Sequence, residues 1–164
     1  MLSSATEIAY EKGLFKSQSF QKQMKSFGIF SIEIKYPSNK FESIYDLAVK
    51  LKHDNIIQRI SILISGIIDT DLKFHKDKNI NIVKLDSSLK PIQSINRNSN
   101  KGSFEGCRYL SEITIPSSVT EIGQRAFCKC SSLTQITIPS SVTEIRDEVF
   151  CGCSSLTQIT IPSS

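Results

Sequence analysis

Apolar and polar positions recur at a fixed interval through the second half of the chain. Leu110, Ile113, Ile115, Val119, Ile122 and Phe127 return as Leu133, Ile136, Ile138, Val142, Ile145 and Phe150, and Leu156, Ile159 and Ile161 open the pattern once more. The period is 23 residues. Self-similarity at such a period predicts a solenoid, in which each unit buries its apolar ladder only by stacking on its neighbours. Within a unit the run Ile-Thr-Ile alternates with period two and predicts one short strand, paired in parallel with its copies. Pro116 and Pro139, which lack a backbone N–H, should end these strands.

An atypical first unit precedes the regular ones. Val83, Leu85, Leu89 and Ile92 match the spacing of Ile113, Ile115, Val119 and Ile122, and Ser87-Ser88 matches Ser117-Ser118. Between Ile92 and Phe104 there are seven more residues than between Ile122 and Phe127, and the excess is rich in Ser, Asn and Lys. That reads as a loop insertion, which solenoids tolerate in a terminal unit.

Before residue 80 the pattern changes. Leu14, Phe20, Met24 and Phe27 have helical spacing over residues 5–27, interrupted at Gly13, with Lys16, Lys22 and Lys25 on the other side. Phe30, Ile32, Ile34 and Tyr36 alternate with polar residues and predict a strand. Asn39, with Glu42 three residues on, resembles a capping arrangement for a helix whose apolar face is Phe41, Ile44, Tyr45, Ala48 and Leu51. The run Ile56, Ile57, Ile60, Leu63, Ile64 and Ile67 fits a helix that ends near Gly66, although Ile60, Ile62 and Ile64 also alternate as a strand would.

The organisation expected is therefore α+β: a small, mainly helical module with one or two strands over 1–79, then a repeat solenoid over 80–164. Its units are 80–109 (degenerate), 110–132, 133–155 and a partial 156–164.

Composition narrows function by exclusion. Lys and Arg number 20 against 16 Asp and Glu, a net charge of +4 spread evenly along the chain, so nucleic acid is not an expected partner. No apolar run approaches the ~20 residues needed to span a bilayer, and the first residues lack the basic and apolar regions of a secretory signal, which reads as cytoplasmic.

All five cysteines lie in the repeats. Cys128-Lys-Cys130 and Cys151-Gly-Cys153 could be read as a four-thiolate zinc site. Against this, Cys107, Cys130 and Cys153 fall in one repeat column, as small apolar side chains would. Cys128 and Cys151 form a second column at strand spacing, close enough for an inter-repeat disulfide if the protein reaches an oxidising compartment.

Neither His53 nor His75 has a matched nucleophile or second ligand, and Glu121 with Glu144 is a repeat column. No catalytic set, metal site or cofactor is expected, and the chain reads as a non-enzymatic scaffold. The outward lattice of the predicted sheet, Glu112, Thr114, Gln135, Thr137, Gln158 and Thr160, is the candidate partner-binding face. Leu156, Ile159 and Ile161 should be open at the last unit and available for self-association.

Two resemblances add to this reading. Cys130-Ser-Ser-Leu-Thr-Gln-Ile-Thr-Ile-Pro-Ser-Ser-Val-Thr-Glu-Ile145 resembles the BspA-type leucine-rich repeat of bacterial surface antigens, which is greatly expanded in parasitic protists. It departs where Gly123 becomes Arg146 and Ala126 becomes Val149. The resemblance implies a short leucine-rich-repeat solenoid acting in surface display or adhesion, with host or extracellular-matrix proteins such as fibronectin as partners. Ser43-Ile-Tyr-Asp-Leu-Ala-Val-Lys-Leu-Lys-His-Asp-Asn-Ile-Ile57 and Leu14-Phe-Lys-Ser-Gln-Ser-Phe20 resemble segments of BTB domains, in truncated form. That implies the alternative function, an intracellular adaptor joining an N-terminal interaction module to the repeats.

Overall fold

The computed structural model describes residues 2–28, 31–66, 78–96 and 102–163. The chain divides into two compact units, Met1–Leu63 and Ile64–Ser164.

In the first unit, α1 (Leu2–Glu11) is ended by Gly13 in a left-handed conformation. A 3-10 turn (Leu14–Lys16) and α2 (Gln18–Ser26) follow, α2 being capped by Ser17, whose hydroxyl accepts from Phe20 N. This break resets the helical phase, so the expected inward set is corrected. Phe15 and Met24 are buried, whereas Leu14 is exposed; Phe27, the C-cap just past the end of α2, is 80% exposed. β1 (Ser31–Tyr36) buries Ile32 and Ile34, and also Glu33 on the face expected to be wet, where it has a polar partner.

α3 (Phe41–His53) buries Phe41, Ile44, Tyr45, Ala48 and Leu51, as its periodicity requires. Its N-cap is Lys40 rather than Asn39, and the Lys40 side chain makes no capping bond; Ser38 Oγ accepts from Lys40 N instead. Residues 56–66 do not form the expected helix, and Ile67 lies outside the described residues. Asn55, at φ 56°, turns the chain into strand β2 (Arg59–Ser65), which buries Ile60, Ile62 and Ile64 together with Ser61 and Ser65. With both faces covered, a β-branched run is packed better by a strand than by a helix.

The second unit is a parallel coil. β3 (Ile82–Asp86) pairs with β5 (Glu112–Thr114), Val83 opposite Ile113. β7 (Gln135–Thr137) pairs with β9 (Gln158–Thr160), Ile136 opposite Ile159. A second row of two-residue strands, β4 (Ser94–Ile95), β6 (Glu121–Ile122) and β8 (Glu144–Ile145), forms another parallel sheet in that order. Turns make a third side, joined by Phe104 N to Ala126 O at 2.9 Å and Phe127 N to Val149 O at 3.0 Å. Inside them Phe104, Phe127 and Phe150 stack nearly parallel, with centroids 5.5 and 5.9 Å apart. Pro116 and Pro139 close the strands by accepting from Val119 N and Val142 N.

The first repeat is offset from the alignment its apolar spacing suggests. Ser94 and Ile95, not residues near Ile92, lie opposite Glu121 and Ile122. Ile92 therefore takes the place of Val119, and Leu89 is 71% exposed. Part of the insertion falls before Ile92, where Asp86 to Pro91 bulge outward under bonds from Ser88 N and Ser88 Oγ to the Asp86 carboxylate.

Two left-handed columns run through the turns: Arg125 and Glu148 at φ 58° and 56°, and Gly106, Lys129 and Gly152 at 78°, 61° and 70°. Gly123 answers to a different demand. An added Cβ there would meet Asn96 O at 1.9 Å, because left-handed Asn96 at the end of β4 turns its carbonyl onto it. Arg146 faces no such bulge, so the departure from Gly123 to Arg146 follows from the insertion in the first repeat.

Gly123→Ala is thus expected to lose about 3 kcal/mol in denaturant unfolding, since a backbone carbonyl cannot yield as a side chain does. Lys129→Gly should match or exceed the parent, while Lys129→Val should lose about 1–2 kcal/mol at the same left-handed position.

Candidate functional site

Alternation along β5, β7 and β9 decides which side chains face outward. Ile113 and Ile136 point into the coil, so their neighbours Glu112, Thr114, Gln135 and Thr137 point out, and all four are exposed. Gln158 and Thr160 on β9 are exposed as well. Parallel register sets them in rows: Lys84 lies opposite Thr114, Gln135 opposite Gln158, and Thr137 opposite Thr160. β5 and β7 lie against each other, which makes one surface of the six candidate residues. Its charges, Lys84 and Glu112, gather at the β3–β5 end; the remainder is hydroxyl and amide.

Arg108 and Tyr109, just before β5, were not singled out as candidates. Tyr109 is exposed, with the Arg108 guanidinium 5.1 Å from the ring centroid, and its carbonyl accepts from Asn81 Nδ2 at 3.3 Å. The later repeats carry Ser131-Ser132 and Ser154-Ser155 in these columns. That break in an otherwise strict column was the available signal.

On the turn side, Cys128 and Cys151 are joined as a disulfide, their Cα atoms 4.6 Å apart. The other cysteine column does different work. Cys130 Sγ donates to Phe104 O and Cys153 Sγ to Phe127 O, each at 3.1 Å. Burial holds all three of these thiols protonated: it pushes Cys107 up to about 12 and raises Cys130 and Cys153. Two of the four sulfurs in the zinc reading are therefore bonded to each other, and the other two are each spent on a backbone carbonyl. No group of three or more potential ligands gathers among the described residues.

Arg125 sits beside the disulfide, 3.0 Å from Glu105 Oε1 and 3.5 Å from Glu148 Oε2, with Nη2 4.0 Å from Cys128 Sγ. Glu105 occupies the first repeat's place in the Cys128 column, so a carboxylate stands where a third thiol would be.

The paired glutamates of the second sheet share one cation. Arg146 Nε lies 2.7 Å from buried Glu121 and 3.3 Å from exposed Glu144. His53 is exposed at the end of α3, 3.3 Å from Asp54, and His75 lies outside the described residues. A depression of about 310 Å³ in the first unit is lined by Tyr10, Glu11, Phe15, Lys16 and Leu47, and Glu11 is already paired with Lys40. No described helix is long and apolar enough to cross a membrane.

Comparison with known proteins fits the repeat geometry. Residues 70–164 match the family described as BspA type leucine rich repeat region, with six copies. Among solved structures, a leucine rich cell surface protein from Faecalibacterium prausnitzii A2-165 is similar at 28% identity and a TM-score of 0.43. The similarity covers 63% of this chain and 32% of that one. No match was found among curated proteins.

The buried thiols give a pH signature. Their ionisation is suppressed in the folded chain and free in the unfolded one, so the unfolded state binds fewer protons at high pH. Stability is then complete below the ordinary thiol value and falls as pH rises from 9 toward about 12. In denaturant titrations of the folded protein, Cys107→Ala should flatten that decline by about 1.4 kcal/mol per pH unit.

Proposed function

Because this chain belongs to the BspA-type leucine-rich repeat family, we propose that its repeats are a protein-binding scaffold that acts in surface display or adhesion through the outward face of β5, β7 and β9. The observation that carries this reading is the register. Gln135 and Gln158, and Thr137 and Thr160, are exposed in parallel rows on strands whose other face is committed to the core. A surface of neutral donors and acceptors held on rigid strands binds by directional hydrogen bonds, with little ordering entropy to recover. Tyr109, just before β5, adds an exposed aromatic group, the residue type that anchors protein interfaces.

The family resemblance supports an extracellular-matrix or host protein as the partner. The adaptor reading places the same face inside the cell, with residues 1–79 engaging a second protein.

Two measurements decide. Antibody against the native chain should label non-permeabilised cells; labelling only after permeabilisation would favour the adaptor. Purified protein should bind immobilised fibronectin, and the double substitution Gln135→Lys and Thr137→Lys should weaken that binding at least tenfold without moving the unfolding midpoint. Unchanged binding would remove this face from the proposal.

A further inference from the structure

We infer that Cys151 is the sulfur at which an external small dithiol opens the Cys128–Cys151 bond, and that opening it loosens the turn 146–153 from the repeats beneath it. This does not depend on what the sheet face binds.

The two bonded cysteines differ in exposure. Cys128 is completely buried and Cys151 only partly so. Thiol–disulfide exchange needs an approach to one sulfur and a stabilised departure at the other. Attack is therefore possible from outside at Cys151, and Cys128 is the leaving group. The Arg125 guanidinium stands 4.0 Å from that departing sulfur, kept in place by Glu105 and Glu148. No other cysteine is poised to intervene, since the Cys130 and Cys153 thiols are each committed to a backbone carbonyl.

The step balances as follows. One thiolate of the dithiol bonds to Cys151 Sγ as the Cys128–Cys151 bond breaks. The electron pair leaves on Cys128 Sγ, which takes a proton from solvent. The reagent's second thiolate then attacks its own sulfur in the mixed disulfide, closing a cyclic disulfide and releasing Cys151, which is protonated in turn. The protein gains two electrons and two protons, and the dithiol loses them.

The consequence is local because the disulfide closes a loop between residues 23 apart. Without it the turn keeps the bonds Arg125 N to Asp147 O, Phe127 N to Val149 O and Lys129 N to Cys151 O, together with the Phe127–Phe150 stack. Side-chain ties remain at Arg125–Glu148, Arg146–Glu121 and Cys153 Sγ–Phe127 O, but residues 143–148 are themselves exposed.

Full-chain protein tests both parts. Unreduced protein should show three alkylatable thiols after unfolding; five would overturn the inference outright. Glutathione under limiting conditions should form a mixed disulfide on Cys151, and peptide mapping that found it on Cys128 would overturn the assignment of the attacked sulfur. Dithiothreitol should raise hydrogen exchange of the amides in 146–153 about a hundredfold, with 110–122 unaffected. Equal exchange in both states would refute the loosening. Arg125→Gln should slow the first thiol–disulfide exchange step several-fold, and an unchanged rate would remove Arg125 from the departure step.

Discussion

Each repeat finds its hydrogen-bond partners in the repeat before it, and the rest of the second unit depends on that. Besides the strand ladders, side chains reach back one turn of the coil to backbone carbonyls. Ser118 reaches Ile92 O, Ser141 reaches Val119 O, Thr143 reaches Thr120 O, Thr157 reaches Thr134 O, and Ser132 reaches Arg108 O. The cysteine column does the same with its thiols. A net hydrogen bond contributes only about 1 kcal/mol, but a carbonyl left unmet in a covered position costs more. A column of small donors is therefore a condition for stacking at all. The many serines and threonines of the motif thus divide into two groups. Those at 118, 120, 132, 141, 143 and 157 hold units together, while Thr114, Thr137 and Thr160 are left to the surface.

The same dependence explains where the pattern is allowed to vary. The first repeat carries its insertion partly between Leu85 and Ile92, yet its backbone still delivers carbonyls at Ile92, Gln93 and Ile95 to the next unit. The accommodation appears at one contact, where the Asn96 carbonyl presses on residue 123 and only glycine fits. One unit later the site opens, and Arg146 uses the space to bridge Glu121 and Glu144. A change that looks like drift in sequence is the release of a local steric constraint.

How much of this could be read from the sequence follows from which forces leave a local trace. The inward ladder was legible because burial repeats with the chain's own period, and so were the outward row and the Cys128–Cys151 column, since repetition converts sequence position into spatial position. Register in the degenerate repeat was not. Leu89 and Ile92 have the right spacing, but whether an apolar residue is used or bulged out is settled by backbone bonds to the next unit. In the first unit, α3 announced itself by a clean 3.6 period. β2 did not, because its run of isoleucines fits a helical and an alternating period equally, and burial on both faces leaves no wet side to choose between them. Phe27 had helical spacing with Phe20 and Met24, but α2 ends at Ser26 and leaves Phe27 at its C-cap, out in solvent.

Identical side chains in successive units show how far burial here is a property of the stack and not of the repeat. Ile122 is fully buried, and its counterpart Ile145 is 45% exposed; Ile136 is 2% exposed, and Ile159 46%. The residues, the strands and the register are the same, and what differs is whether another unit lies over them. Burying an isoleucine side chain contributes about 1.5–3 kcal/mol, so each added unit stabilises the one beneath it as much as itself. Cooperativity of that kind runs along the coil axis. A covalent tie across a single seam, such as the one between Cys128 and Cys151, adds to that axial support between the two units it joins.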